Sequence, residues 1–483
     1  MQRASSADPR KAFAARPAHG GPILALDRDL AAAIAVTRFG LGAKPGELLA
    51  ARDDPQGWLT AQIRPGGADQ PQANPPTSAQ RVIEFREYQK QRQAAKLSGQ
   101  VFDPVKFAGQ LIRQDAGADF MARVKLAAST DADFRERWAL FWCNHFTVSA
   151  TKLQTATLVG PFEQEAIRPH VFGRFEDMLV ASSSHPGMLL YLDQAQSVGP
   201  DTMAAMLLSR GGKQAGLNEN LAREILELHT VGVEAGYTQA DVTEFARAMT
   251  GWSIGGPRES DAIAGKFLFR PMAHEGGART IMGKRYPQDG VQQARAVMKD
   301  LAASPHTARH IAVKLARHFI ADDPPPTLTH RLERTYLGTG GDLAEVAKTL
   351  VFAPESWSPD AAKFKTPYEF LVSSWRAANV TPDDVTLIAP ILNGMGQKPF
   401  SAPSPKGWPE DAEVWCAPDA VIKRMAWAQS LAAQSLNGRD PTQLARDALG
   451  ARLTPLVAAA ISRAETREEG LAILLMSPEF QRR

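Results

Sequence analysis

GLNENLAREILELHTVGVEAGYTQADVTEFARAMTGW, residues 216–252, decides how the rest of the chain is read. Leu221, Ile225 and Leu228 recur at the spacing of one helix face, so a first helix is expected from about Asn218. Gly232 and Gly236 break it. Thr238 then suits an N-cap, with Asp241 three residues on to complete a capping box, and a second helix is expected to run toward Trp252, a packing anchor. Two helices joined by a short glycine turn make the expected class all-α. The stretch also carries six acidic residues, two arginines and one histidine, a dense polar set for helices otherwise built for burial. Helical phasing puts Glu224 and His229 on opposite flanks of the apolar stripe, whereas Arg223 and Glu227 point outward. A buried carboxylate is costly unless paired, coordinated or protonated, so Glu224 requires a partner. The competing reading is a Glu–Arg or Glu–amide pair locking two helices together.

Outward from this block the pattern stays helical. An Ala-rich helix is expected after Asp27 or Asp29, ending near Gly40 and Gly42. Residues 118–145 read as helix and place Trp138, Phe141, Trp142 and His145 on one face. Pro/Gly-rich or polar composition marks loops near 66–78, 200–217 and 393–417. Residues 266–286, KFLFRPMAHEGGARTIMGKRY, show two short apolar runs flanking HEGG, the signal of one small β-hairpin. Residues 1–27 are expected to form a flexible tail and 28–483 a single large helical domain.

The bulk numbers exclude several classes. With 55 basic and 52 acidic residues interspersed for a net charge of +3, no concentrated basic surface for nucleic acid is expected. No apolar run reaches the roughly 18 residues of a membrane span, so no membrane insertion is expected. The N-terminus lacks the apolar core of a signal peptide, which points to the cytoplasm. With neither GxGxxG nor a Walker loop, no nucleotide cofactor is expected. Residues 182–185, SSSH, lack the GxSxG elbow of a serine hydrolase. Cys143 and Cys416 are read as two unpaired buried thiols, with a disulfide as the alternative.

His145 sits on an aromatic face beside Asn144, a neighbour suited to fix its tautomer. His274 lies in the proposed hairpin loop beside Glu275, where a scaffold can present it. Should His145, Glu224 and His274 converge, they would supply the three nitrogen or oxygen ligands of a catalytic divalent metal. No HExxH spacing supports that, and a lone histidine on an apolar face also reads as a hydrogen-bonded core residue. His306 and His310, at i and i+4, lack an accompanying carboxylate and are not favoured. Trp408 and Trp415 either line a groove or staple their loop to the core.

Taken together, the motifs resemble a bacterial family known as domain of unknown function 1800. The matching elements are RFGLG (38–42), ERWALFWCNHFTVS (136–149), GMLLYLDQAQSVGP (187–200), the opening NENLARE to TGW block, HEGG with IMG (274–283), KLARHF (314–319), KTPYEF (365–370) and GWPEDAEVW (407–415). The resemblance runs from about residue 30 to the C-terminus and implies a mainly helical fold. His229 stands where many relatives carry an aromatic residue, and Glu275 where aspartate is frequent. The resemblance also implies a partner, since such proteins are often encoded beside exported sulfatase-like proteins. Co-export to the periplasm is then the alternative location. Two functions emerge as expectations. One is an enzyme that hydrolyses or modifies an envelope substrate at a polar centre of His145, Arg223, Glu224 and His274. The other is a helical binding or chaperone-like partner of the exported sulfatase-like protein, without catalysis of its own.

Overall fold

Caps written into the sequence start many of the helices. Asp27, Thr238, Asp342, Thr366 and Thr454 each accept a hydrogen bond from a backbone N–H of the first turn after them. Each thereby satisfies one of the donors that a helix start leaves orphaned. The computed structural model describes residues 27–98, 104–212, 216–256, 259–436 and 438–483. It is predominantly helical. The helices around the core and the cavity include α1 (Pro104–Ser129), α2 (Asp133–His145), α3 (Met203–Arg210), α4 (Asn220–Glu224, prolonged by a π-helical turn over Ile225–His229), α5 (Gln239–Ala248), α6 (Pro305–Phe319), α7 (Pro367–Ala377) and α8 (Pro418–Ser435).

The aromatic face of α2 forms the centre. Trp138 and Trp142 are fully buried, and the Trp138 ring meets Phe134, Phe141, Phe172 and Phe319 at centroid distances of 6.1, 6.4, 6.1 and 5.9 Å. Around it, α6 packs along Pro326–Thr339, α7 crosses α1, and α8 lies on Arg467–Met476. One contiguous apolar cluster runs from Ala31 to Phe480.

Several expectations need correction. The loop expected over 200–217 contains α3, started by Thr202, whose hydroxyl accepts from the Ala205 N–H at 3.3 Å. Residues 118–145 are divided between α1 and α2. The strands near 266–286 exist but do not pair across HEGG. β2 (Phe267–Phe269) pairs with β1 (Trp252–Ile254), and β3 (Arg279–Ile281) pairs with β4 (Lys284–Tyr286). The hairpin turn falls at Met282 and Gly283, with φ of 48° and 76°, a two-residue geometry that matches strand twist. In the opening block the π turn spreads its residues more widely than an α turn. The buried face therefore reads Leu221, Ala222, Ile225, Leu226 and His229, while Leu228 is only half-buried. The Thr238–Asp241 capping box is formed as read, and Trp252 is fully buried. Cys143 and Cys416 are both unpaired; Cys143 is half-buried, but Cys416 is exposed. The expected tail falls almost entirely on residues 1–26, outside the described residues.

Much of the positive charge inside the core is carried by arginines. Arg38, Arg137, Arg168, Arg376, Arg424 and Arg483 are almost wholly buried. Arg376 has the fullest set of partners. Its Nε donates to Gly42 O at 2.6 Å, its Nη1 to Ala127 O at 3.0 Å and Thr130 O at 2.9 Å, and its Nη2 to both Glu47 carboxylate oxygens at 2.9 Å. It also lies 3.4 Å from Asp133 Oδ2. Gly42 explains the second half of RFGLG. Its φ is 99°, and an added Cβ would come within 2.7 Å of Ser373 Cβ on α7. Replacing Arg376 by Met should cost about 3–5 kcal/mol, because two buried carboxylates lose their counter-ion. Urea unfolding checks this against Arg463→Ala, an exposed site expected to stay within about 0.5 kcal/mol.

Candidate active site

The four residues singled out in the sequence do not come together. His145 ends α2 and is buried, with Nε2 3.1 Å from His229 O. That carbonyl fixes its tautomer, so Nε2 carries the proton. Asn144 instead holds the Trp408 backbone, donating from Nδ2 to its carbonyl at 3.0 Å and accepting its N–H at 2.7 Å. Glu224 is half-buried, and its carboxylate has no hydrogen bond or ion pair among the described residues. Burial, then Glu227, raises its carboxyl above the ordinary range, against a smaller pull from Arg223. Arg223 turns to Glu219 at 3.0 Å and Gln239 at 2.9 Å, so the expected Glu–Arg lock on Glu224 is not formed. His274 Nδ1 lies 2.9 Å from Thr250 O and braces the turn after α5. Arg279, with Arg247 farther off, pairs with Glu275. Among the described residues no group of three or more His, Cys, Asp or Glu side chains is placed to hold a metal ion.

His145 belongs to a different cluster. Its ring lies 6.1 Å from His229 and 6.3 Å from His310, which accompanies Lys314 on α6. Both nitrogens of the fully buried His229 ring lack a hydrogen bond. Burial, and then Lys314, lowers His229 to about 3 and His310 to about 4, and burial lowers His145 as well. All three stay neutral at pH 7.

The cavity next to this cluster has a volume of about 120 Å³ and is walled by α1, α2, α6, α7 and the 393–417 loop. Charged groups pair within the wall. Arg123 donates to Glu163 at 2.7 Å and Arg137 to Glu369 at 2.6 Å, while Arg483 lies 3.0 Å from the same Glu369 carboxylate. His318 Nδ1 is 2.8 Å from Glu410 Oε1, and its Nε2 is buried without a partner, as is the Tyr368 hydroxyl. Burial pushes the Glu410 carboxyl up, but His318 and Lys363 outweigh that and hold it down at about 2. His318 is lowered first by burial, with Glu410 pulling upward and Arg137 and Arg483 adding to the lowering.

A second layer fixes this pair. Lys363 Nζ donates to Glu410 O at 2.5 Å and pairs with Asp322, which accepts the Ala412 N–H at 2.9 Å. Arg483 Nη1 donates to His318 O at 2.8 Å. The loop reaches the site through Gly407, whose φ is 85° and whose added Cβ would lie 2.5 Å from Asn144 O.

Sequence reasoning missed His318, Tyr368, Glu369 and Glu410, although each lies inside a motif that carried the resemblance: KLARHF, KTPYEF and GWPEDAEVW. The available signal was the motifs themselves, not any local spacing. His185, in SSSH, accepts the Gly187 N–H at 3.0 Å and meets Glu165 at 2.9 Å, a helix cap.

The family model described as Protein of unknown function (DUF1800) matches residues 34–482. No curated protein and no solved structure matches.

The His229 surroundings give a stability prediction. Its folded pKa lies below the ordinary 6.5, so on acidification the unfolded chain takes up the proton first. Stability from neutral His145, His229 and His310 should therefore be complete above about pH 6.5 and fall progressively toward about pH 3. His229→Phe, placing an aromatic ring beside Phe146 at 5.0 Å, should stabilise by about 1–3 kcal/mol at pH 7 by removing unpaired buried nitrogens. It should also flatten part of the acid limb in unfolding measured from pH 7 to 4.

Proposed function

Because the chain belongs to the family of proteins of unknown function DUF1800, which prescribes no reaction, we propose a function from the cavity itself: an enzyme that hydrolyses or modifies an envelope substrate with His318 as its base. One observation carries this reading. An ionised Glu410 only accepts hydrogen bonds, so His318 Nδ1, 2.8 Å away, is the protonated nitrogen. The lone pair is then left on Nε2, which is buried and unpartnered in a residue of the cavity wall. A carboxylate-held neutral imidazole of this kind takes a proton from water or a substrate hydroxyl, and the carboxylate stabilises the cation that forms. Arg483 and Lys363 hold both members in place. Cys143 also lines the cavity, but burial first of all raises its thiol well above the ordinary range, which disfavours it as a nucleophile.

His318→Gln tests the reading on a panel of 4-nitrophenyl esters, glycosides and phosphates. Loss of a general base should reduce turnover by about 10²–10⁴-fold with little change in melting temperature. Equal turnover by the variant, or none by the native protein across the panel, overturns it.

A second reading, a binding partner of the exported sulfatase-like protein, is favoured by α3. Met203, Met206 and Leu207 on this helix are 55%, 50% and 51% exposed, and Met272 beside it is 58% exposed. Methionine-rich faces of this kind suit adaptable contacts. Under this reading the protein travels to the periplasm with its partner; under the first it works in the cytoplasm or beyond it. No helix among the described residues is long and apolar enough to cross a membrane. Co-expression with the sulfatase-like neighbour should give co-purification that Met206→Glu abolishes; no complex at micromolar concentrations counts against the partner.

A further inference from the structure

The cavity walls specify a ligand as well as a base, and the choice of that ligand rests on the reading of this cavity as the active site. All but one of the charges that line the cavity are spent within its wall: Arg123 on Glu163 at 2.7 Å, Arg137 on Glu369 at 2.6 Å, and Glu410 on His318 at 2.8 Å. The Arg123 guanidinium is further enclosed by the rings of Phe120, Tyr368 and Phe400, at 5.1, 4.9 and 4.7 Å from their centroids. Lys398 is exposed at the rim. A charged group reaching past Lys398 into the cavity would have to break one of these buried pairs, at the cost of leaving its partner unpaired. The unpartnered buried atoms of the wall residues include three donors, the Tyr368 hydroxyl and the Nε groups of Arg123 and Arg137, and one acceptor, His318 Nε2. The remaining surface is largely apolar and aromatic, with Trp408 half-buried on it and packed 6.1 Å from Trp415. A volume of about 120 Å³ is below the roughly 150 Å³ that holds a benzene ring, so the cavity takes only the hydroxyl-bearing edge of one six-membered ring, with the rest of the ring at its mouth.

We propose that this cavity binds a neutral, hydroxyl-bearing ring, a single pyranose unit of a glycan, whose hydroxyls accept from Tyr368 Oη and donate to His318 Nε2 while its C–H face packs on Trp408. A site built to hydrogen-bond a hydroxyl discriminates strongly against ligands that lack it, because its own buried polar atoms are then left unpaired. The substrate class is therefore uncharged saccharide, and the bond acted on is one borne by that ring.

Calorimetry and saturation-transfer NMR on the whole protein test this with glucose, N-acetylglucosamine, glucuronate, glucose 6-phosphate and N-acetylalanine amide. The neutral sugars should bind with dissociation constants of about 1–10 mM and more tightly than the charged sugars or the amide. Tyr368→Phe should weaken sugar binding at least about fivefold with an unchanged melting temperature, and Trp408→Phe should retain more of it than Trp408→Ala. Absence of binding by both neutral sugars at about 100 mM, far above those constants, overturns the proposal. Tighter binding of a charged sugar or of the amide, or an undiminished affinity in Tyr368→Phe, overturns it as well. The two readings fail separately. Sugar binding alongside full turnover in His318→Gln sinks only the catalytic role, whereas turnover lost in that variant without any sugar bound sinks only the saccharide.

Discussion

A guanidinium in a helical core needs acceptors that water no longer supplies, and that need, met at the Nη groups although the Nε of Arg38, Arg137, Arg168, Arg424 and Arg483 is left without a partner, organises this protein. A helix leaves its last carbonyls without intrahelical partners. Here the buried arginines take up carbonyls of this sort and of nearby loops. Arg376 gathers Ala127 O and Thr130 O at the end of α1 with Gly42 O, and Arg137 takes Gly40 O at 2.9 Å. Arg38 reaches Ser356 O at 2.7 Å, Arg168 takes Asp69 O at 2.8 Å, and Arg424 takes Lys365 O at 2.8 Å. Each side chain thus ties together segments distant in sequence. For Arg376, Arg168 and Arg137 the carboxylates of Glu47, Glu136 and Glu369 neutralise charge that would otherwise be prohibitive to bury. Such ion pairs add little net stability compared with apolar replacements, but once present they admit few alternative arrangements.

The cavity inherits its rigidity from the same network. Arg137 and Arg483 share the Glu369 carboxylate, and Arg483 also holds the His318 carbonyl. Burial raises the Glu369 carboxyl, but Arg483 and Arg137 more than offset this and keep it ionised. The loop carrying Glu410 is held from two other sides, by Asn144 at the end of α2 and by the Lys363–Asp322 pair. A side chain whose supports are themselves buried and paired keeps its orientation without a ligand, which is the condition for an imidazole to act as a fixed base.

Much of the local structure was legible in the sequence. Thr238 and Asp241 form the capping box their spacing implied, Trp252 is an anchor, and the helical face of Trp138, Phe141, Trp142 and His145 lies in the core. These depend on periodicity and on neighbours within one turn. The reading failed where a choice depended on distant atoms. Leu228 gave way to His229 on the buried face because of a π turn, and α3 was hidden by Gly and Ser residues around a cap at Thr202. The half-buried Glu224 carboxylate has no hydrogen bond or ion pair among the described residues, because Arg223 turns to Glu219 and Gln239 instead.

By itself, then, the sequence determined the helical class, the caps and the family, since each is written in residues a few positions apart. The tertiary structure alone decided which polar residues meet. His318, Tyr368 and Glu410 come from three separate segments, and what joins them is the pairing of buried arginines with carbonyls and carboxylates dozens to hundreds of positions away. No local spacing encodes such a pairing, because its energy arises only when folding removes both partners from water.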